Sequence, residues 1–243
     1  MWRAAALLAA FAGYQAHAQV RFAETGAVFD APTKRYDHGI LGDKIEYGGL
    51  IVWHDRYEIT LTLPETRVFE DLEPRLADLD GDETPEIIVV ETDMRLGAQL
   101  TVYGLIFDGA ALEGIQKLAE TPHIGQKYRW LAPVGIADFD GNGSMEIAYI
   151  ETPHLGKVLK VVSYQDGQLK DRAQLSELTN HRIGEDFISG GVRDCGARPE
   201  IIVADGNWRR VMAVQLIGDD LAAYDVGPFE GAESFRRALD CKK

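Results

Sequence analysis

Two short segments carry oxygen donors at a spacing that could do chemistry. Asp78-Leu79-Asp80-Gly81-Asp82-Glu83-Thr84-Pro85-Glu86 places carboxylates at positions 1, 3, 5 and 9 of a tight loop, with a backbone carbonyl available at position 7, Thr84. Asp138-Phe139-Asp140-Gly141-Asn142-Gly143-Ser144-Met145-Glu146 repeats the pattern, with an amide replacing one carboxylate and the Ser144 carbonyl at position 7. Hard oxygen ligands converging in a turn suit Ca²⁺. Two calcium sites are therefore expected, on Asp78, Asp80, Asp82, Thr84 and Glu86, and on Asp138, Asp140, Asn142, Ser144 and Glu146. The second should be the weaker. An EF-hand needs a bidentate Glu at position 12 and flanking helices, whereas position 12 is Val89 in one loop and Tyr149 in the other, inside apolar runs that read as strands.

The loops belong to a longer internal repeat. LADLDGDETPEIIVVET from Leu76 and IADFDGNGSMEIAYIET from Ile136 align without a gap, and a degenerate third copy, GGVRDCGARPEIIVAD, starts at Gly190. Its ligand positions read Val192, Asp194, Gly196, Arg198 and Glu200, so no calcium is expected there, and Arg198 should pair with Asp194 or Glu200. Each copy leads into an alternating strand, a short Asp-Gly or Gly-Asp turn and a further strand, which are hairpin signals. GGLIVWHDRYEITLTLPETRVFED shows that rhythm without an acidic loop. Radial β repeats fit a period of this size. The fold expected is all-β, a small β-propeller of about four blades, with the acidic loops between the first and second strands of blades. The units fall at about 36–72, 73–120, 121–178 and 179–230, followed by a tail, 231–243, whose GAESFRRALDC is the one segment with helical character.

With these residues in view, the chain resembles the FG-GAP or VCBS repeat family, the calcium-loop blades of integrin α-subunit propellers and of exported bacterial proteins. The resemblance runs from about Leu76 onward. It implies a propeller fold and calcium at Asp78, Asp80, Asp82 and Glu86 and at Asp138, Asp140, Asn142 and Glu146. The chain departs from the family pattern in having Gly at position 4 and Glu at position 9.

The opening MWRAAALLAAFAGYQAHAQ sets Arg3 before an apolar run of about ten residues and ends in Ala16-His17-Ala18, the pattern of a cleaved export signal over 1–18. A periplasmic or secreted domain, 19–243, is expected, without membrane insertion. Its two cysteines, Cys195 and Cys241, should pair, since exported proteins keep disulfides. The net charge of −14 excludes nucleic acid as a partner class.

Alternating strand direction places the turn after each second strand, and the link between units, opposite the acidic loops. His38, His54, His123, His154 and His181 are assigned to that face, with Arg95, Arg182, Trp208 and Arg209. No nucleophile–base motif, His-Glu-x-x-His or P-loop is present. The expectation is a calcium-stabilised, non-catalytic module that binds a protein or glycan through the histidine-rich face. The alternative is a propeller-type hydrolase or lyase acting on extracellular polymer.

Overall fold

The computed structural model describes residues 24–242; the export-signal expectation falls outside them. The regular structure of the described residues is nearly all β-strand, with one short helix. The first unit is a three-stranded meander, β1 (Thr25–Thr33), β2 (Glu46–His54) and β3 (Tyr57–Thr62). The second contains β4 (Arg67–Phe69), β5 (Arg75–Ala77), β6 (Glu86–Asp93), β7 (Gly97–Asp108) and β8 (Ala111–Glu120). The third is the antiparallel meander β9 (Leu131–Ala137), β10 (Glu146–Glu151), β11 (Val158–Gln165) and β12 (Gln168–Leu175). The fourth holds β13 (Leu178–Thr179), β14 (Gly191–Arg193), β15 (Glu200–Asp205), β16 (Arg210–Ile217) and β17 (Asp220–Pro228). Helix α1 (Ala232–Leu239) follows.

The last three units share one plan, but their first strands differ. β4 and β5 both pair with the same edge of β6, and β13 and β14 both pair with the same edge of β15, so each first strand is split by an excursion. In the third unit the same strand is continuous, and a single bulge opposite Ala148 and Tyr149 takes up the difference. The first unit begins at Thr25 rather than at 36, and the expected boundary at 72/73 falls inside the split strand β4/β5. The hairpin β2–β3 corresponds to β7–β8, β11–β12 and β16–β17. The first unit therefore supplies the second, third and fourth strand positions and, among the described residues, no first one.

Four apolar clusters explain the sequence pattern. Leu50, Val52, Ile87 and Val89 pack between units one and two; Ile88, Val90, Ala132 and Ile147 between two and three; Ala148, Ile150, Ile201 and Val203 between three and four. Second strands β6 and β10 are covered on both faces, which is why they read as continuous apolar runs and not as alternating ones. No residue of the outer strands β12 and β17 is fully buried, and both read as more polar than the strands inside. The remaining face of unit four, Ile202, Ala204, Val211 and Ala213, is covered by Phe235 and Ala238 of α1. No helix of the described residues is long and apolar enough to cross a membrane.

Candidate functional site

The two acidic loops close with the same five hydrogen bonds. In the first, Asp78 accepts from the backbone N–H groups of Gly81 (2.7 Å) and Glu83 (3.0 Å), Asp80 from Asp82 (3.2 Å), Asp82 from Thr84 (2.7 Å), and Glu86 reaches back to Leu79 (2.8 Å). In the second, Asp138 accepts from Gly141 (2.7 Å) and Gly143 (2.9 Å), Asp140 from Asn142 (3.1 Å), Asn142 from Ser144 (2.7 Å), and Glu146 from Phe139 (2.9 Å). Gly81 and Gly141 take positive φ at position 4, the left-handed turn the loop needs. Both loops lead directly into a second strand, β6 or β10, as the spacing predicts.

Carboxylate oxygens of Asp78, Asp80 and Asp82 lie within 4.8 Å of one another, as do those of Asp138, Asp140 and Glu146. Burial and then the neighbouring Asp80 and Asp82 push the Glu86 carboxyl up to about 7. Burial raises Glu146 as well, helped by Asp140 and Asp138 and opposed by Arg172. Mutual repulsion of this kind is what a divalent cation relieves. Glu146 is fully buried, and its second oxygen, Oε1, has no hydrogen-bond partner. A buried carboxylate oxygen without a partner is costly, so the donor set fits a hard cation.

The equivalent turn of unit four is closed differently. Arg193, not Arg198, pairs with Glu200, at 2.7 Å, and also donates to the Ala238 carbonyl and to Tyr224. Arg198 follows the turn instead of preceding it, and its guanidinium rests against Gly141 of the second acidic loop. The disulfide Cys195–Cys241 forms as expected and fastens the chain beyond α1 to this turn.

The opposite strand ends hold a different chemistry. His38, Tyr128, Arg129, Trp130, His154 and Ile183 border a cleft of about 290 Å³ whose walls are mainly apolar. His181, fully buried, sits behind His154. Glu185 offers only a carbonyl oxygen to His181 Nε2 (3.0 Å), so Nε2 donates and Nδ1 is left to accept. His154 Nε2 then donates to that Nδ1 (2.9 Å), and His154 Nδ1 keeps its lone pair. Burial, then the neighbouring His181 and His38, lowers His154 to about 4, and burial lowers His181 too. Both rings are neutral at pH 7.

On the other side His38 Nδ1 donates to Glu70 (2.5 Å), whose second oxygen accepts from Thr92 (2.7 Å). The Trp130 indole N–H donates to the Glu70 carbonyl (2.8 Å), tying the two sides together. Burial raises Glu70, and it lifts nearby Glu46 to about 9, with Glu70, Asp43 and Asp71 adding to the effect. Tyr128 (φ 60°) and Thr152 (φ 49°), both on the cleft, hold left-handed backbone that costs each of them energy.

Of the nine residues assigned to this face, His38, His154 and His181 come together. Arg182 lies near them but turns its guanidinium over Trp208 (4.8 Å to the ring centre) and Phe229, with Glu185 as its ion partner. Arg209 is in the turn after β15, where Asp205 accepts from its backbone N–H, and Arg95 is in the corresponding turn after β6. His123 Nδ1 donates to the Gly97 carbonyl (2.9 Å), away from the cleft. His54 is misassigned: it ends a third-position strand, bonds Thr25 and packs on Phe107, at the end where the acidic loops lie. Sequence reasoning missed Glu70, Tyr128 and Trp130. Only the aromatic word Tyr128-Arg129-Trp130 ahead of β9 signalled any of them.

No family model matches this chain, and no curated protein matches it. Among solved structures, it is similar to the X-ray structure of a hypothetical selenium-binding protein from Sulfolobus tokodaii, at 12% identity and a TM-score of 0.36, over 75% of this chain and 48% of that one. This chain thus spans about half the length of that protein. A likeness at this level carries neither fold nor function across.

Proposed function

We propose that the protein is an exported, calcium-stabilised binding module whose four units pack as propeller blades and whose ligand, a protein or a glycan, enters the cleft between His38 and His154. The observation that carries this reading is the gathering of His38, His154 and His181 around Trp130, at the strand ends opposite both acidic loops. The neutral imidazoles of His154 and His181, a largely apolar wall and strained backbone at Tyr128 and Thr152 are features of a prepared site. His154 Nδ1 accepts a hydrogen bond from the ligand. Calcium at the two loops holds the far end of the blades and takes no part in recognition. The Cys195–Cys241 bond supports export, because disulfides persist in oxidising compartments.

Binding to glycan arrays and to extracellular protein panels tests the proposal. Ligands found should lose affinity at least about tenfold on His154→Ala, the order expected when a buried polar contact is removed, and should be insensitive to substitutions at Asp166 in the opposite turn. A ligand indifferent to both His154→Ala and Tyr128→Ala would place recognition elsewhere.

One observation favours an enzyme instead. His38 is oriented by the Glu70 carboxylate through Nδ1, leaving Nε2 free, which is the arrangement of a general base and its positioning partner. Turnover on an extracellular polymer that is abolished by His38→Asn would establish that alternative.

A further inference from the structure

The two acidic loops share five hydrogen bonds, to which the second adds one from the Asn142 N–H to Asp138, but they differ in electrostatic surroundings. No Lys or Arg among the described residues forms an ion pair with Asp78, Asp80, Asp82 or Glu86. At the second loop, Arg172 Nη2 lies 2.9 Å from Asp140 Oδ2, and Nη1 lies 4.0 Å from Glu146 Oε1, the buried oxygen with no hydrogen-bond partner. Its placement is built into the sheet. Val161 pairs with Ala173 and Val162 with Asp171, so Arg172 is the extra residue of a β-bulge on β12. Bulges re-aim a side chain out of the ordinary strand alternation. The guanidinium has a second acceptor as well: Nη2 is 3.3 Å from Asp219 Oδ1, in the turn between β16 and β17 of the neighbouring unit.

We propose that Arg172 is a resident competitor for the cation at the second loop, and that calcium binding there displaces its guanidinium from Asp140 and Glu146 toward Asp219. This rests on the calcium reading of the loops. A monovalent guanidinium and a divalent cation cannot both sit against the same carboxylates without strong repulsion at these distances. The first loop therefore stays filled at low calcium and serves the fold. The second fills only at higher calcium, and its filling tightens the ion pair between Arg172 of unit three and Asp219 of unit four. The Asn142 amide lowers the affinity of this loop in the sequence; Arg172 lowers it further in the structure.

Calorimetric titration of calcium into the whole chain after dialysis against chelator tests this, with wild type, Arg172→Met and Asp219→Asn compared. Wild type should show a tight and a weak site. Arg172→Met should tighten the weak one at least about tenfold, as expected for removing a unit charge within about 4 Å, and leave the tight one unchanged. Asp219 is exposed, so Asp219→Asn should fold normally; by removing the alternative acceptor it should weaken the second site severalfold. A weak site of the same affinity in all three proteins refutes the competitor role while leaving calcium binding intact. Absence of calcium binding in all three refutes the calcium reading itself, and with it this inference.

Discussion

The two ends of the strand array solve opposite problems with titratable side chains. At the acidic end, carboxylates crowd together, partly open to water, and are held by N–H groups from their own loops. At the histidine end, imidazoles and carboxylates are drawn inward and satisfied by partners 27 to 60 residues away, and His154 and His181 are held neutral by burial. The first arrangement fits a cation from outside; the second leaves two imidazole lone pairs, on His154 Nδ1 and His38 Nε2, and a cleft. In the function proposed above, holding the fold and recognising a ligand fall to different ends, and substitutions should separate them.

The largest effect should come from the acidic end of unit four, where a disulfide and the Arg193–Glu200 ion pair stand in place of an acidic loop. Replacing Cys195 and Cys241 together by Ser opens a crosslink spanning 46 residues of sequence, worth about 4 kcal/mol in the chain-entropy account, and denaturant unfolding should show that loss with or without calcium. Next, Arg193→Met leaves Glu200 buried with only Gln215 and Tyr224 as partners, and a loss of about 3 kcal/mol is expected in the same assay. At the histidine end, Trp130→Phe removes the donor to the Glu70 carbonyl and should cost about 2 kcal/mol, while leaving calcium titration unchanged. Any change in calcium affinity in that variant would mean that the two ends are coupled.

The smallest effect is a slope. His154 is lowered in the fold from 6.5 to about 4, so the unfolded chain binds its proton first. The stabilising contribution is complete above pH 6.5 and is lost as pH falls toward 4. Stability measured across that window should decline toward acid, and His154→Gln should flatten part of the decline. Glu46, raised to about 9, acts in the other direction: its contribution is full below pH 4.5 and is lost as pH rises to 9, so Glu46→Gln should remove a decline between about pH 4.5 and 9.

What could be read from the sequence follows the same division. The acidic loops are local: nine residues contain donors, acceptors and the glycine turn, so their conformation and the strand that follows were legible. The continuous apolar runs of β6, β10 and β15 and the helix at Ala232–Leu239 were legible for similar reasons. The cleft was only half so. His154 is found by its place after a second strand, and His38 and His181 by theirs in links between units, but Glu70, Tyr128 and Trp130 reach them through contacts that no local pattern encodes. His54 was misplaced because the first unit starts at the second strand position, which moves β2 one place along and sends its end to the other side. Arg193 was passed over for Arg198 because both flank the turn, and only the strand register shows which side chain faces Glu200. Arg172 was invisible for a related reason, since a bulge shifts its direction.

Thermal unfolding of the wild-type protein in millimolar calcium and in chelator tests the calcium-stabilised account most directly. A site held at a hundredfold excess over its Kd stabilises the native state by about 2.7 kcal/mol, and for a domain of this size each kcal/mol moves Tm by about 2–4 °C. The account predicts a Tm higher in calcium by at least about 5 °C. The same Tm in calcium and in chelator would contradict it.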